Sequence, residues 1–371
     1  MRYVVVGDGE SPHLLKWVCT LQAVGGLALE LWLVSSRGLM PALESRVPPE
    51  RRLLLHTLPE AAGGNVGLLL HLPRVASWLR AVRPDIVHAH YLTSHGTLAL
   101  LAQRLWRIPG RLVTSAWGSD VLLTPQRNAL LRTLTSAVLR GSVCSTSDSH
   151  HMAGEMRRLG ARHVLVFPFG LSELPPVTAP SIREPLLFFS NRGLEPLYRI
   201  DRVLRLFAAV AAEHPAARLV IANRGRAETD LRALTRTLGL LEKVRFVGML
   251  EPQEQAQWYA RAQWHLSLPR SDSVSVSVIE AMAHGCVPVL SDLPANRELV
   301  DDALNGLILP DDDARAAAAL KGQLNVLLNR AEDIALRNRK WVAEHGLFPP
   351  RVEAFLAELS RLAADAKPMD G

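Results

Sequence analysis

The chain has 371 residues, of which 48% are hydrophobic and 21% are charged, an ordinary composition for a globular protein. These values exclude a disordered or fibrous protein, and the length predicts two or three domains. The formal net charge is +6, but only five of the 42 basic residues are lysines and they form no basic block. We therefore expect no nucleic-acid partner.

The three cysteines, Cys19, Cys144 and Cys286, are far apart and form no CxxC pair. This spacing argues against a disulfide framework or a zinc site and is typical of a reducing compartment. No apolar run is long enough for a membrane helix, and the N-terminal MRYVVVGDGE has the pattern of a first strand rather than a signal peptide. We therefore expect a cytoplasmic protein that binds no metal.

Short apolar runs alternate with helical stretches along the chain. In the first part, strands are predicted at 3–7, 28–34, 85–90 and 112–115, with a helix at 14–24. In the second part, strands are predicted at 186–190, 218–222, 244–247, 264–268 and 287–291, with helices at 201–213, 229–238, 253–262 and from Glu280 onward. Strands separated by helices in this way predict βαβ units and parallel sheets.

The alternation pauses at a proline-rich stretch and then begins again, which predicts two consecutive α/β domains. We place the first domain at 1–168, a linker at 169–184 and the second domain at 185–340. The chain ends in amphipathic helices predicted at 312–329 and 331–364, the second interrupted near Gly346, Pro349 and Pro350.

Glycines follow the first predicted strand in the sequence GDGESP. A dinucleotide-binding fingerprint would require glycine at position 12, where Pro12 stands. The loop is therefore either a plain tight turn or a turn whose N–H groups approach an anion, and Gly9 is the candidate contact.

Histidines are grouped after the strand at 85–90, in VHAHYLTSHG. His88 and His90 are two residues apart and so share one strand face, at the edge of the sheet where α/β proteins bind ligands. Each of His88, His90 and His95 is either a base or hydrogen-bond partner for a substrate hydroxyl, or a structural residue. In the next strand's loop, TSAWGSD, Gly118 permits a sharp turn and Asp120 either caps a helix or binds a hydroxyl.

The sequence SDSVSVSVIEAMAHG places Asp272 and Glu280 eight residues apart, with serines between them. Serines and free N–H groups before a helix favour a phosphate, and Glu280 near the helix start can accept the two hydroxyls of a ribose. Asp272 could hold hydroxyls of a second sugar. The alternation of serine and valine alone would instead predict a half-buried strand.

Two arginines, Arg192 and Arg199, follow the first strand of the second domain in SNRGLEPLYRID. A guanidinium suits phosphate oxygens, and two of them could neutralise a diphosphate. Taken singly, each arginine is also compatible with a solvated surface position.

The two arginines belong to a larger set of motifs, which also includes PDIVHAHY, TSAWGSDV, EKVRFVGML, EAMAHGCVPVLSD and LNGLIL. With this set of motifs the chain resembles the retaining GT-B glycosyltransferases of glycosyltransferase family 4. The resemblance covers almost the whole chain. It implies an α/β protein with two Rossmann-like parallel-sheet domains facing across a cleft, and C-terminal helices at 341–371 that cross back to the first domain. It also implies sugar transfer from a nucleotide diphosphate sugar with retained anomeric configuration, without a metal or other cofactor.

The resemblance also implies roles for individual residues. Arg192 and Arg199 would stabilise the departing diphosphate, Glu280 would bind the ribose and Asp272 would contact the donor sugar. Further donor contacts are expected from Gly9, Asn223, Phe246, Val276 and Ser277. The acceptor side is expected to contain His13, His95, Trp117 and Asp120.

The chain departs from the family pattern at several of these positions. Three donor-site side chains replace the usual family residue: Arg199 for Lys, Asp272 for Glu and Asn223 for Gly. Trp117 stands where the family often has a His over the donor sugar, and Trp cannot accept a proton. Either His90 or His95 takes that role, or the leaving phosphate accepts the proton and no His is needed.

We therefore predict a glycosyltransferase with a UDP-sugar preferred over a GDP-sugar. The acceptor would be a glycan, a lipid-linked precursor or a small metabolite, most consistent with cell-envelope polysaccharide or glycoconjugate synthesis. A non-catalytic sugar-nucleotide-binding scaffold and a nucleotide-sugar epimerase remain alternatives.

The stretch 71–83 predicts an amphipathic helix that carries three arginines. Its apolar side comprises Leu72, Val75, Trp78, Leu79 and Val82. The helix either contacts the inner face of the plasma membrane or packs on the core with a solvated basic side.

Overall fold

The computed structural model describes residues 1–57, 66–177 and 179–365. The chain folds into two compact units. Unit one comprises Met1–Phe167 and Phe348–Gly371, and unit two comprises Pro168–Leu347. Each unit has its own parallel sheet and its own hydrophobic core.

Unit one is built on a parallel sheet whose described strands lie in the order β3-β2-β1-β4-β5-β6-β7. The strands are β1 (Arg2–Gly7), β2 (Glu30–Ser35), β3 (Arg52–Leu54), β4 (Ile86–His90), β5 (Arg111–Ser115), β6 (Cys144–Ser147) and β7 (Val164–Val166). The helices are α1 (Pro12–Gly25), α2 (Pro41–Glu44), α3 (Leu72–Val82), α4 (Thr97–Trp106), α5 (Ser119–Leu122), α6 (Thr124–Arg127), α7 (Ala129–Gly141) and α8 (His150–Arg158). A π-helical turn, Leu92–Gly96, joins β4 to α4.

Unit two has the strand order β10-β9-β8-β11-β12-β13, again all parallel. The strands are β8 (Glu184–Ser190), β9 (Arg218–Ala222), β10 (Val244–Gly248), β11 (Ala262–Ser267), β12 (Val287–Ser291) and β13 (Leu307–Leu309). The helices are α9 (Ile200–Glu213), α10 (Glu228–Thr237), α11 (Pro252–Arg261), α12 (Val276–His284), α13 (Pro294–Arg297), α14 (Asp313–Asn329) and α15 (Ala331–His345).

The central strands are apolar because helices cover the sheet. Val4 and Val6 of β1 are buried in one cluster with Val87 and Ala89 of β4. Strands buried on both faces are continuous apolar runs, which is why the sequence identifies these central strands readily. Burial of one such valine contributes about 1.5–3 kcal/mol.

The strand order reverses beside the first strand of each unit, between β1 and β4 and between β8 and β11. This is the doubly wound order, and it confirms the prediction of two Rossmann-like parallel-sheet domains. In such sheets ligands bind beyond the carboxyl ends of the strands at the reversal. We therefore expect the candidate site residues to lie in the loops that follow these four strands.

The last helix, α16 (Phe348–Asp365), belongs to unit one. The rings of Phe348 and Phe355 lie 4.9 and 5.5 Å from the ring of Trp17 in α1. The predicted return of the chain end to the first domain is confirmed for α16, whereas α14 and α15 stay in unit two. The prolines 349 and 350 occupy the first turn of α16, where a missing N–H is tolerated.

The proline-rich stretch packs on unit two. The N–H of Leu171 donates to the carbonyl of Gly346 at 2.8 Å, and Arg339 donates to the carbonyl of Pro175 at 2.6 Å. Residues 169–184, given above as a linker, and residues 341–347, given above as part of the returning helices, thus lie in unit two, together with Pro168, given above to the first domain.

Several local predictions differ from the structure: β3, β6, β7 and β13 are not among the predicted strands, and α12 begins earlier than predicted. The sequence predicts no strand at β6 because CSTS is polar, yet all four residues are buried, and Thr146 Oγ1 lies 2.7 Å from Ser115 Oγ. The predicted helix start at Glu280 is wrong, and so is the half-buried strand, because α12 begins at Val276. Val278 and Met282, four residues apart, share a buried helical face.

The helix α3 buries the apolar side that could have faced a membrane. Val75, Leu79 and Val82 lie in the core of unit one, and the ring of Trp78 is 5.7 Å from that of Trp32. The core-facing interpretation of this helix is therefore correct. Within the described ranges, no helix combines the length and apolar content needed to cross a membrane.

Candidate functional site

Arg192 lies just after β8 and contacts three side chains around the start of α12. Its Nη2 is 2.6 Å from Asp272 Oδ2, and its Nη1 donates to Ser275 Oγ and, at 3.4 Å, to Ser277 Oγ. The guanidinium carbon also lies 4.4 Å from the centre of the Tyr198 ring. We call Arg192, Asp272, Ser275 and Ser277 the charged cluster; it brings together three of the predicted site residues.

The Arg192–Asp272 pair is largely withdrawn from solvent. The Arg192 side chain is 10% exposed and that of Asp272 is 22% exposed. Burial raises the pKa of Asp272 above its ordinary value, and the charge of Arg192 opposes this shift. The guanidinium is thus fixed by a charge-assisted hydrogen bond, and a bound anion would share it with Asp272.

The first turn of α12 adds backbone donors beside this cluster. Ser275 occupies the N-cap position but does not cap the helix through its side chain. Its Oγ instead lies 2.8 Å from Ser277 Oγ and accepts from Arg192. The first N–H groups of a helix lack intrahelical partners and carry partial positive charge, so this turn suits a phosphate.

Glu280 lies one turn further along α12. Its Oε2 accepts hydrogen bonds from Gln255 Nε2 at 2.7 Å and from Tyr259 Oη at 3.0 Å. Asn191 Nδ2 donates to Tyr259 Oη at 3.1 Å, and Asn223 Nδ2 donates to Asn191 Oδ1 at 2.7 Å. The predicted donor residues Glu280 and Asn223 are therefore joined by one hydrogen-bonded chain.

Three other predicted donor residues have different surroundings. Arg199 Nη1 is 2.5 Å from Asp311 Oδ1, and this hydrogen bond lowers the pKa of Asp311. The Phe246 ring lies under the Arg232 guanidinium, 4.6 Å from its carbon. Val276 is half-buried in the first turn of α12. Among the side-chain contacts of the described ranges, neither Arg199 nor Phe246 touches the charged cluster or Glu280.

Gly9 lies in unit one, whereas the other predicted donor residues lie in unit two. Its N–H donates to Ser35 Oγ at 2.9 Å, and a Cβ at this position would come within 2.5 Å of the Gly38 carbonyl oxygen. Beside it, Asp8 pairs with Arg37 at 2.5 Å. The close backbone approach requires glycine here whether or not a ligand binds.

Histidines gather at the carboxyl end of β4 in unit one. We call His13, His88, His90 and His95 the imidazole cluster. His88 is buried between Tyr3 Oη and Ser115 Oγ, each 2.7 Å from one ring nitrogen. Burial lowers the pKa of His88 to about 3, so this residue is a neutral structural bridge between strands.

His90 and His95 are also buried and neutral. Burial lowers the pKa of His90 well below its ordinary value, and the neighbouring imidazoles add to the shift. Burial lowers the pKa of His95 to about 4, although the charge of Asp8 opposes this shift. Within the described residues neither ring nitrogen of His90 has a hydrogen-bond partner. A neutral imidazole offers one donor and one acceptor to a hydroxyl.

The loop after β5 places Trp117 beside the imidazole cluster. Its ring centre lies 4.8 Å from that of His13 and 5.8 Å from that of His90. Asp120 accepts from the N–H groups of Leu92 and Trp117, both at 2.9 Å, and burial raises its pKa to about 6. Asp120 thus ties two loops together, and the predicted acceptor residues do lie in one region.

Four polar residues near Arg192 and Glu280 are not among the residues predicted from the sequence: Asn191, Gln255, Tyr259 and His265. Asn191 is adjacent to Arg192 in the sequence, which is the one signal available for it. His265 lies in β11, and burial together with the nearby Arg192 charge lowers its pKa to about 3. Gln255 and Tyr259 come from a helix without a recognisable motif, so only the fold reveals their contact with Glu280.

A cavity of about 820 Å³ opens elsewhere in unit two. Pro185, Gln263 and Gly285 line it, at the amino ends of β8, β11 and β12. Arg192 and Asn223 follow carboxyl ends of strands, so this cavity lies at the opposite edge of the sheet.

Comparisons with known proteins identify the family and the fold. Residues 4–149 match the family model described as glycosyl transferase 4-like, and residues 175–339 match that of the glycosyl transferases group 1. HepE from Anabaena, solved with UDP and glucose, superposes with a TM-score of 0.78 at 16% identity over 97% of this chain and 99% of its own. Sucrose-phosphate synthase from Thermosynechococcus elongatus gives a TM-score of 0.78 at 14% identity over 99% and 100%.

Curated relatives share part of the chain. The GDP-mannose:cellobiosyl-diphosphopolyprenol alpha-mannosyltransferase of Xanthomonas campestris is 32% identical over 263 residues, which is 66% of this chain and 66% of its own length. D-inositol 3-phosphate glycosyltransferase 2 of Catenulispora acidiphila is 29% identical over 64% of this chain and 62% of its own length. With both family models matched and one Rossmann-like parallel sheet in each unit, the chain belongs to the GT-B glycosyltransferases of glycosyltransferase family 4.

Proposed function

We propose that the protein transfers a sugar from a nucleotide diphosphate sugar to a hydroxyl of an acceptor, with retention of the anomeric configuration. Unit two would hold the donor and unit one the acceptor. The observation that carries this proposal is the charged cluster: a fixed guanidinium, two hydroxyls and the first turn of α12, with Glu280 one turn further on.

The charged cluster suits the leaving group. As the bond from the anomeric carbon to the diphosphate breaks, negative charge grows on the phosphate oxygen. Arg192 and the N–H groups of α12 would stabilise that charge more strongly in the transition state than in the bound donor. The new bond forms on the face from which the phosphate departs, and the departing oxygen takes the proton of the acceptor hydroxyl, so no protein base is required.

The imidazole cluster suits a neutral acceptor group. His90 is buried and uncharged, and a neutral imidazole can orient a hydroxyl through one hydrogen bond without transferring a full charge. Trp117 lies beside it and offers an aromatic face. We propose that these two residues position the acceptor hydroxyl and that Asp120 fixes the loop that carries Trp117.

The proposed classes of donor and acceptor rest on a sequence relative and on a solved structure of similar fold. The Xanthomonas campestris relative is named for GDP-mannose and a diphosphopolyprenol acceptor, and the HepE structure holds UDP and glucose. We propose a UDP-sugar as the first candidate donor and a GDP-sugar as the second. The acceptor would be a lipid-linked or other glycan precursor of the cell envelope, or a small metabolite.

A thermal-shift screen with UDP, GDP, ADP and dTDP tests the donor site. A nucleotide that binds the native state should raise the melting temperature as its concentration increases. We expect a shift with UDP or GDP that is lost in Glu280→Ala. No shift with any of the four would overturn the assignment of the donor site.

Product analysis separates the enzyme from its two alternatives. Incubation of the corresponding nucleotide sugar with candidate acceptors should release free nucleotide diphosphate and a glycosylated product. Binding without product would favour the scaffold, and an altered nucleotide sugar formed without acceptor would favour the epimerase.

We also propose a peripheral contact between unit one and anionic lipid at the inner face of the plasma membrane. Residues 66–141 contain nine arginines, two aspartates and neither lysine nor glutamate. Three exposed arginines lie on or near α3: Arg74 and Arg80 within the helix and Arg83 just after it. Leu70, just before the helix, is 84% exposed. Each arginine near an anionic membrane contributes about 1 kcal/mol.

Co-sedimentation with vesicles tests this contact. Vesicles of phosphatidylglycerol and phosphatidylcholine should retain the protein at low salt, whereas phosphatidylcholine alone should not. Arg74→Gln with Arg83→Gln should weaken the retention several-fold. The matched pair in unit two, Arg236→Gln with Arg245→Gln, should not, and equal effects of the two pairs would contradict a specific surface on unit one.

A further inference from the structure

A chain of hydrogen bonds ends on Glu280, and in each bond the donor lies on the side away from this carboxylate. Asn223 Nδ2 donates to Asn191 at 2.7 Å, Asn191 Nδ2 donates to Tyr259 at 3.1 Å, and Tyr259 Oη donates to Glu280 Oε2 at 3.0 Å. Each group donates towards the carboxylate, so the negative charge polarises every bond of this chain. The chain of hydrogen bonds connects the ends of β8 and β9 to α11 and α12.

A second donor reaches the same oxygen. Gln255 Nε2 lies 2.7 Å from Glu280 Oε2. Gln255 and Tyr259 are four residues apart on α11 and therefore share one face of that helix. The terminal torsion of a glutamate is broad and easily rotated. Two donors on one oxygen hold the plane of this carboxylate in a single direction.

The Tyr259 hydroxyl is itself held by packing. The Tyr259 side chain is 1% exposed, and its ring lies 5.0 Å from Phe189 and 5.7 Å from His284. Burial, followed by the charge of Glu280, raises the pKa of Tyr259 well above its ordinary value. The hydroxyl therefore keeps the proton that it donates.

Asn223 begins the chain of hydrogen bonds from an unusual backbone conformation. Its φ is +77°, in the left-handed region that glycine adopts most easily, and its N–H donates to the Gly248 carbonyl at 2.6 Å. Glycine would satisfy this backbone equally well. The amide side chain is therefore best explained by the hydrogen bond that it donates to Asn191.

We infer that Gln255, Tyr259, Asn191 and Asn223 are positioning residues that aim the Glu280 carboxylate at the ribose hydroxyls of the donor. This inference rests on the proposed role of Glu280. The ligand class that they would select is a ribonucleoside diphosphate over its deoxyribose analogue. Gln255 and Tyr259 act through Glu280, so their loss should reduce this preference and leave binding of the deoxy analogue unchanged.

The test measures dissociation constants by titration calorimetry for the nucleoside diphosphate that binds in the screen, and for its 2′-deoxy and 3′-deoxy analogues. The wild type should prefer the ribose form, and Glu280→Ala should abolish the preference. Tyr259→Phe and Gln255→Ala should each reduce it by about three- to tenfold, the typical net effect of one hydrogen bond. Asn191→Ala and Asn223→Gly should reduce it less, by about twofold.

Two features of the design separate positioning from folding. Tyr259→Phe removes one oxygen and keeps the ring that packs on Phe189 and His284. Gln257→Ala, an exposed position on the same helix, is the matched control for Gln255→Ala and should leave every constant unchanged.

The outcomes are distinguishable. If Glu280→Ala abolishes the preference while Tyr259→Phe and Gln255→Ala retain it fully, the positioning inference is wrong and the proposed function stands. If the two variants weaken ribose and deoxy forms equally, the positioning inference is also wrong. If Glu280→Ala keeps the preference, or no nucleotide binds, the ribose site and the inference fail together.

Discussion

The two units share a strand order but differ in the charge of the groups at its point of reversal. Beside β1 and β4, unit one gathers buried imidazoles that are neutral at physiological pH, together with Trp117. Beside β8 and β11, unit two gathers the Arg192–Asp272 ion pair, with Glu280 held by two donors. At the same topological position, unit one therefore carries neutral imidazoles with the Asp8–Arg37 ion pair after β1, and unit two carries the Arg192–Asp272 ion pair and Glu280.

This difference arises both in β4 itself, which carries His88 and His90, and in the loops that follow β4 and β8. β4 and β8 are both buried parallel strands, but the first is followed by a π-helical turn and the second by a loop that begins with Asn191 and Arg192. A fold sets where ligands bind, and the side chains set which ligands. A neutral hydroxyl is recognised by neutral donors and acceptors, whereas a diphosphate requires a fixed cation and free N–H groups.

Replacement of Arg192 should produce the largest effect. Arg192→Gln removes the guanidinium of the charged cluster and should lower kcat for sugar transfer by about 10²–10³-fold, as loss of one charge-stabilising donor does. Arg199→Gln should cost less, about tenfold or below, because its guanidinium is already paired with the exposed Asp311. Steady-state kinetics with the donor found in the screen measure both.

Controls isolate the charge of Arg192 from its structural role. Arg192→Gln leaves Asp272 partly buried without its cation, so the double variant with Asp272→Asn should recover part of the lost melting temperature but not the activity. Arg236→Gln, an exposed position in the same unit, should change neither. A larger loss of kcat in Arg199→Gln than in Arg192→Gln would reverse the ranking of the two cations.

The sequence was most informative where hydrophobic pattern and motif coincide. β4 and β12 are buried and rich in apolar residues, and their limits were predicted within a residue. Polar β6 was missed because its buried hydroxyls satisfy one another, an arrangement that composition does not reveal. The start of α12 was misplaced because alternating serine and valine fits a strand as well as a first helical turn.

The candidate site was predictable for residues that lie close together in the chain. Asp272, Ser277 and Glu280 come from one segment, and Arg192 follows the strand that the pattern identified. Tyr259 and Gln255 contact Glu280 from a different helix, and no local spacing encodes that contact. Arg199 was expected to act with Arg192. It pairs instead with the exposed carboxylate of Asp311, which lies more than a hundred residues later in the chain, so the sequence gives no local signal for this contact.

The buried imidazoles should make the free energy of unfolding decrease at low pH. This effect is smaller than that of Arg192→Gln, and it tests the neutral state of the imidazoles in unit one. In the unfolded chain a histidine has a pKa near 6.5. In the folded chain burial lowers the pKa of His88 to about 3 and that of His95 to about 4, and it lowers that of His90 in the same direction. As the pH falls below about 6.5, the unfolded chain therefore takes up protons that the native chain does not, and by pH 5 about 2 kcal/mol of stability is lost for His88 and a similar amount for His95.

Asp120 works against this loss, because burial raises its pKa to about 6 and the native chain binds that proton first. Urea unfolding at pH 7 and pH 5 gives the free energy of unfolding at each pH. His90→Gln should reduce the difference between the two values, and His56→Gln, at an exposed position of the same unit, is the matched control. If both variants behave like the wild type, His90 takes up its proton as readily in the native chain as in the unfolded chain, which contradicts a buried and uncharged His90 in the acceptor site.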